Sequence, residues 1–151
     1  MTPAAGQYCD LCALLAGAVE PLWCDARLTV VLVDEPAYPG FCRVIWNAHV
    51  KEMSDLSAAE RGHIMDAVWQ VELAQREVMA PEKINLASFG NMTPHVHWHV
   101  IPRYLDDAHF PQPSWAPAQR ATPAEVLEAR RALLPQLRAA IVKRLSGQAA
   151  A

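Results

Sequence analysis

No apolar run in this 151-residue chain approaches the roughly 20 residues that a membrane-crossing helix needs, so no span is expected. The first ten residues, MTPAAGQYCD, have neither a basic segment nor an apolar core, so a cleaved export signal is not expected either. There is no internal repeat and no long linker. Positive charge is not in excess: 13 Lys and Arg against 16 Asp and Glu leave a net charge of −3. Such a balance exerts no bulk pull on a nucleic acid polymer or an anionic membrane, and neither is expected as a partner. Any phosphate must be held locally. Charged residues are only 19% and hydrophobic residues 52%, which excludes a disordered chain, a coiled coil and collagen. What remains is one globular domain, residues 1–151, large enough to bury its own core. Without an export signal, Cys9, Cys12, Cys24 and Cys42 are expected as reduced thiols and the cytoplasm as the location.

The chain divides into readable segments. Residues 9–18 (CDLCALLAGA) read as a short helix, Leu28–Asp34 and Phe41–Asn47 as two strands, antiparallel across the turn EPAYPG. Ser57-Ala-Ala-Glu60 is a capping box, in which each side chain satisfies a free N–H of the other. The apolar spacing of Ile64, Val68 and Val71, with Ala67, Ala74 and Val78 beside them, continues as an amphipathic helix that ends before Pro81. Ile84–Phe89 and His95–Ile101 read as a third and fourth strand around the turn GNMTP. Leu105–Gln119 is a proline-bearing loop. A helix begins at Thr122-Pro-Ala-Glu125 with Pro123 at its first position, and Pro135 kinks or divides it; the tail SGQAAA is expected to fray. Cys24 and Cys42 read as core residues, His63 as an exposed helix residue, and His109 as a loop histidine that either covers a site or has no role. The class is α+β with an antiparallel sheet.

Three of the six histidines fall within five residues: His95-Val-His97-Trp-His99-Val-Ile101. Side chains alternate along a strand, so the imidazoles share one face while Val96, Trp98 and Val100 share the other. Three such rings in a row are poor for stability, because each desolvated ring needs partners and protonated neighbours repel. The residues alone leave three readings open: an exposed polar sheet face, a set of transition-metal ligands, or a nucleophilic imidazole whose neighbours manage protons and charge.

The pattern His-φ-His-φ-His-φ-φ, with φ apolar, resembles the signature of the histidine-triad (HIT) superfamily of nucleotide hydrolases and transferases. LVDEPAYPGFCRVIWNAHVKEMSDLS is similar to that family's upstream hairpin and helix entry, and KINLASFGNMTPHVHWHVIPRY to its active-site strands. The resemblance covers roughly residues 9–104, about two thirds of the chain; the loop and helix of residues 105–146 are not diagnostic. It implies a HIT-like fold: a sheet of about five strands, a central helix and a C-terminal helical segment. It implies that His97 attacks the α-phosphorus of a nucleotide and forms a nucleotidyl–histidine intermediate that water cleaves. His99 would bond the phosphate or leaving group and His95 would orient the site. Asp34 would bind ribose hydroxyls, and Asn85 and Asn91 would donate to phosphate oxygens. Nucleoside phosphoramidates and dinucleoside polyphosphates are the implied substrates, a homodimer the implied assembly, and no cofactor is required for the chemistry. Two other functions stay open: a nucleotide-binding regulatory module without turnover, and a zinc metallohydrolase using the triad as ligands. The chain departs from the family pattern at Phe41, where many members carry His. It departs again at Met92, close to where a hydroxyl is expected, and the loop from Asn85 to His95 reads one residue short. These departures bear on the substrate.

Cys9-Asp-Leu-Cys12 has ligand spacing, and by itself reads either as half of a tetrahedral metal site or as two small thiols in a helix turn. Some members of the superfamily pair such cysteines with two histidines. The resemblance therefore implies a structural Zn²⁺ on Cys9, Cys12, His49 and His95.

Overall fold

A computed structural model describes residues 8–148. Most of the segment read for an export signal, and residues 149–151 of the tail, lie outside the described residues.

The capping box fixes where the long helix begins. The Glu60 amide donates to Ser57 Oγ (3.2 Å) and the Ser57 amide to Glu60 Oε2 (2.8 Å). Helix α2 then runs Ala58–Met79 and stops before Pro81, as its spacing predicts. Its apolar stripe, Ile64, Ala67, Val68, Val71, Ala74 and Met79, is buried. Gln75 is buried in the same stripe and donates through Nε2 to Gly40 O (2.8 Å) and Val100 O (2.9 Å), tying α2 to one turn and one strand.

Five strands, β1 (Trp23–Cys24), β2 (Leu28–Leu32), β3 (Cys42–Trp46), β4 (Lys83–Ala87) and β5 (His97–Arg103), form one antiparallel sheet in the order β1-β2-β3-β5-β4. Alternation gives the sheet two unlike faces. Leu28, Val30, Cys42, Val44, Trp46, Ile84 and Val100 pack on α2 and on α4 (Leu134–Gln148), which contributes Leu137, Ile141 and Leu145. The opposite face carries Val31 and Ile45, which pack with Cys9 and Leu11. Those two residues come from α1 (Asp10–Ala13) and its cap, and a π-helical stretch Leu14–Ala18 follows.

Several boundaries differ from expectation. β5 begins at His97, because the His95 amide turns back onto Thr93 O (2.8 Å) and the Val96 amide pairs outside the sheet with Val50 O (2.7 Å). α3 spans Ala124–Arg131 with Pro123 as its cap residue, since Thr122 Oγ1 donates to Asp106 O (2.9 Å) and leaves the helix end. Pro135 divides the C-terminal segment into α3 and α4, sitting in the first turn of α4, where its missing N–H is tolerated. α4 continues through Gln148, so the start of the tail is helical. Cys42 is fully buried, but Cys24 is exposed because β1 is a two-residue edge strand. His63 is half-buried and pairs with Asp25 Oδ2 (2.7 Å). No described helix is long and apolar enough to cross a membrane.

Gly40 closes the turn into β3 at φ 90°, and a Cβ there would lie 2.3 Å from Met79 Sδ. Gly40→Ala should therefore cost about 1–3 kcal/mol, read as a lower melting temperature with unchanged metal content.

Candidate active site and metal centre

The cross-strand register places Arg43 and Ile45 of β3, Asn85 and Ala87 of β4, and His97 and His99 of β5 on the face away from α2. His97 is buried, and its Nδ1 lies 2.6 Å from the carbonyl oxygen of His95. A carbonyl only accepts, so Nδ1 carries the proton and Nε2 keeps its lone pair. Ser88 Oγ donates to His97 O (2.8 Å) and anchors the same residue from the turn before the triad. Burial, reinforced by the charge of Arg43, holds His97 below the ordinary imidazole range and so favours the neutral ring.

The His99 ring stands 5.1 Å from that of His97, with Phe41 at 5.3 Å and Phe89 at 5.7 Å. Burial, then the charges of Arg43 and His97, push His99 down to about 4. The unfolded ring takes its proton near pH 6.5 and the folded one only near 4, so this contribution to stability is complete above about 6.5 and is lost as pH falls towards 4. An NMR titration should show the His99 ring neutral at pH 5; a midpoint above 6 would contradict this.

His95 turns the other way. Its Nε2 lies 2.6 Å from Trp46 O and must donate to it, which leaves Nδ1 bare towards Cys9 Sγ (3.4 Å) and Cys12 Sγ (3.5 Å). Cys12 Sγ also meets His49 Nδ1 at 3.3 Å, and the Cys12 amide donates to Cys9 Sγ at 3.4 Å. The ligand atoms of Cys9, Cys12, His49 and His95 all lie within 4.8 Å of one another. Metal bonds of about 2.3 Å to sulfur and 2.0 Å to nitrogen at tetrahedral angles imply S···N separations of about 3.5 Å, so the four residues could hold a metal ion. Burial and the adjacent Cys9 sulfur push the Cys12 thiol up to about 11, so a thiolate pair here calls for a cation between its members. Carbonyl bonding of the far imidazole nitrogen is the usual outer support of a metal-bound histidine. Among the described residues, His97 and His99 belong to no such group.

The other residues singled out from the sequence are scattered around this face. Asp34 is exposed just beyond β2, with no side-chain hydrogen bond among the described residues. Asn85 accepts from Arg103 Nη1 at 2.6 Å; Arg103 is itself fixed by Asp107 through Nε (2.7 Å) and Nη2 (3.1 Å). An open cavity of about 800 Å³ runs along β4, lined by Asn85, Ala87, Arg103 and Trp115 but not by the histidines. Asn91 is exposed in the turn, and no hydrogen bond among the described residues ties its amide to the histidines. His109 stacks on Tyr38, with Nδ1 2.6 Å from the hydroxyl, and so has a structural partner in its loop. Sequence reasoning missed Arg43. Its signal was a lone cation inside the apolar strand Cys42-Arg43-Val44-Ile45-Trp46.

A family model described as the HIT domain matches residues 22–106, a span that takes in the triad, His49, Asp34, Asn85 and Asn91. The chain belongs to the HIT family. Solved structures of other HIT proteins share the fold. A histidine triad protein from Bradyrhizobium japonicum superposes with a TM-score of 0.68 at 24% identity, over 85% of this chain and 95% of that one. One from Marinobacter aquaeolei gives 0.66 at 24%, over 88% and 98%. A zinc-bound histidine triad family protein from Mycobacterium smegmatis gives 0.64 at 20%, over 92% and 96%. No curated protein matches the chain. In this HIT protein the cysteine pair lies N-terminal to the matched span, so the four residues that could hold a metal come from inside and outside that span.

Proposed function

We propose that this HIT protein is a nucleotide hydrolase or nucleotidyl transferase that works through a covalent nucleotidyl–histidine. The observation that carries the reading is the contact of 2.6 Å between His97 Nδ1 and His95 O, which leaves Nε2 as an unprotonated nucleophile on the face of the sheet away from α2. Nε2 attacks the α-phosphorus, and the bond from phosphorus to the leaving oxygen or nitrogen breaks. The leaving group takes a proton. Water then adds to the same phosphorus, the P–N bond breaks, and His97 is restored. His99 faces the phosphate or leaving group, the His95 carbonyl orients the nucleophile, Asp34 takes the ribose hydroxyls, and Asn85 and Asn91 donate to phosphate oxygens. Nucleoside phosphoramidates and dinucleoside polyphosphates are the substrate classes.

Cys9, Cys12, His49 and His95 are the proposed ligands of a Zn²⁺, which when bound supplies a cross-link between the N-terminal turn and the strand entry, and no chemistry at phosphorus. Free thiols at these positions suit the reducing cytoplasm. A homodimer is the proposed assembly, supported by the open edge of β4 and the exposed Leu86, Phe89 and Trp115 around it; sedimentation at micromolar concentration giving only a 17-kDa-class monomer would refute it.

The decisive experiment incubates the protein with α-labelled nucleotide conjugates and looks for a base-stable, acid-labile adduct. Adduct on wild type and none on a His97 variant supports the reading. Nucleotide binding without adduct or product supports instead a regulatory module, which Phe41 and the 98%-exposed Met92, neither able to assist a leaving group, would favour. Hydrolysis abolished by chelator with no adduct would point to a metallohydrolase.

A further inference from the structure

Arg43 lies mid-strand in β3, directly across from His99 and on the histidine face. It is half-buried, its guanidinium carbon 5.9 Å from the centroid of the Phe41 ring. Its Nε is shut off from water with no acceptor, and among the described residues no carboxylate pairs with it. By contrast Arg103, at the other end of the same face, is fully matched by Asp107, Asn85 and Gln112 O. Burial holds Arg43 below the usual guanidinium range, and its charge in turn depresses His97 and His99.

With no anion beside it, such a placement is unfavourable. A buried Nε–H with no acceptor costs free energy, and no carboxylate among the described residues offsets the charge of this half-buried cation. An apolar residue like its cross-strand neighbour Val31 would serve packing better. An anion reverses the balance: a guanidinium is built to hold two oxygens of a phosphate at once, and a charge-assisted bond in a partly dry site is strong.

We propose that Arg43 is an anion-binding residue of this site, its guanidinium holding the non-bridging oxygens of the phosphate presented to His97 and carrying the charge that accumulates there as the leaving group departs. This rests on the nucleotidyl-transfer reading for its second half, but the anion site itself is testable without it. The residue is a specificity element too, since a neutral nucleoside gains nothing from it.

The test compares the full chain with Arg43→Met and Arg43→Lys by titration calorimetry, using AMP, adenosine and inorganic phosphate as probes, with melting temperature and metal content measured alongside. Arg43→Met should weaken AMP and phosphate by about tenfold or more and leave adenosine within about twofold, as expected for one lost charge-assisted bond pair. Arg43→Lys should fall between, keeping the charge but not the fork. Equal AMP affinity in wild type and both variants overturns the proposal while leaving the nucleotide reading intact. Phosphate binding that depends on Arg43, with no binding of AMP or adenosine, supports the anion site and overturns the nucleotide reading. A parallel loss for AMP and adenosine overturns the proposal by making Arg43 merely structural. If Arg43→Met does not fold, the same comparison is read from Arg43→Lys.

Discussion

His97→Ala is expected to lower kcat/KM for any nucleotide conjugate by about 10⁴-fold or more, with no covalent adduct at any time point. The size reflects the proposed role: in that mechanism, loss of the imidazole removes the first displacement and leaves water to attack phosphorus unaided. The loss should not be one of folding. His97 sits at the start of β5 on the face away from the main apolar core, and the strand's helix-facing residue Val100 is untouched. A stability cost of about 1–2 kcal/mol is expected for the vacated ring. Metal content should not change, because His97 is outside the candidate metal-ligating group. Rapid-quench single turnovers with mass spectrometry of the protein make the measurement. Retention of more than a tenth of wild-type turnover by a folded His97→Ala protein would remove His97 from the mechanism.

The second large effect is expected at Cys12. Its sulfur meets both His49 Nδ1 and His95 Nδ1, at 3.3 and 3.5 Å, so Cys12→Ser opens two sides of the cluster at once. Zinc should fall from about one ion per chain to a trace. Zinc fingers with no core of their own gain about 10–16 kcal/mol from their metal; here Val31 and Ile45 still hold Leu11 by packing, so the expected loss is smaller, about 3–5 kcal/mol. For a chain of this size that corresponds to a melting temperature lower by roughly 10 °C. Turnover should fall as well, because the carbonyl that orients His97 belongs to His95. Chelation of the wild type should reproduce both effects, and readded zinc should reverse them. A purified wild-type protein with no zinc, and a melting temperature indifferent to chelator, would reject the site.

Much of this architecture is legible in the amino-acid sequence. The central helix is readable at both ends, because Ser57, Glu60 and Pro81 are local signals whose effect does not depend on tertiary context. The two hairpin strands around EPAYPG are readable for the same reason. The candidate metal site can be named only through resemblance: nothing local links Cys12 to His95, 83 residues away. β1 is not legible, since two residues carry no alternation. Nor is the start of β5, where main-chain bonds of His95 and Val96 to a turn and a loop override a perfect alternating pattern. Cys24 misleads because a small apolar residue on a short edge strand looks like a core residue in sequence. The place of Arg43 on the histidine face shows only once the register sets it across from His99.

The alternation along β5 also constrains how this protein can vary. Odd-numbered positions from His97 to Arg103 share the histidine face, and even-numbered ones face the helices. Inserting or deleting one residue inside the strand would exchange the two sets, sending imidazoles into oil and Trp98 and Val100 into water. Length polymorphism is therefore barred from the strand and must be absorbed in the turn of residues 89–94, where the count of residues can change without altering which side chains of β5 share a face.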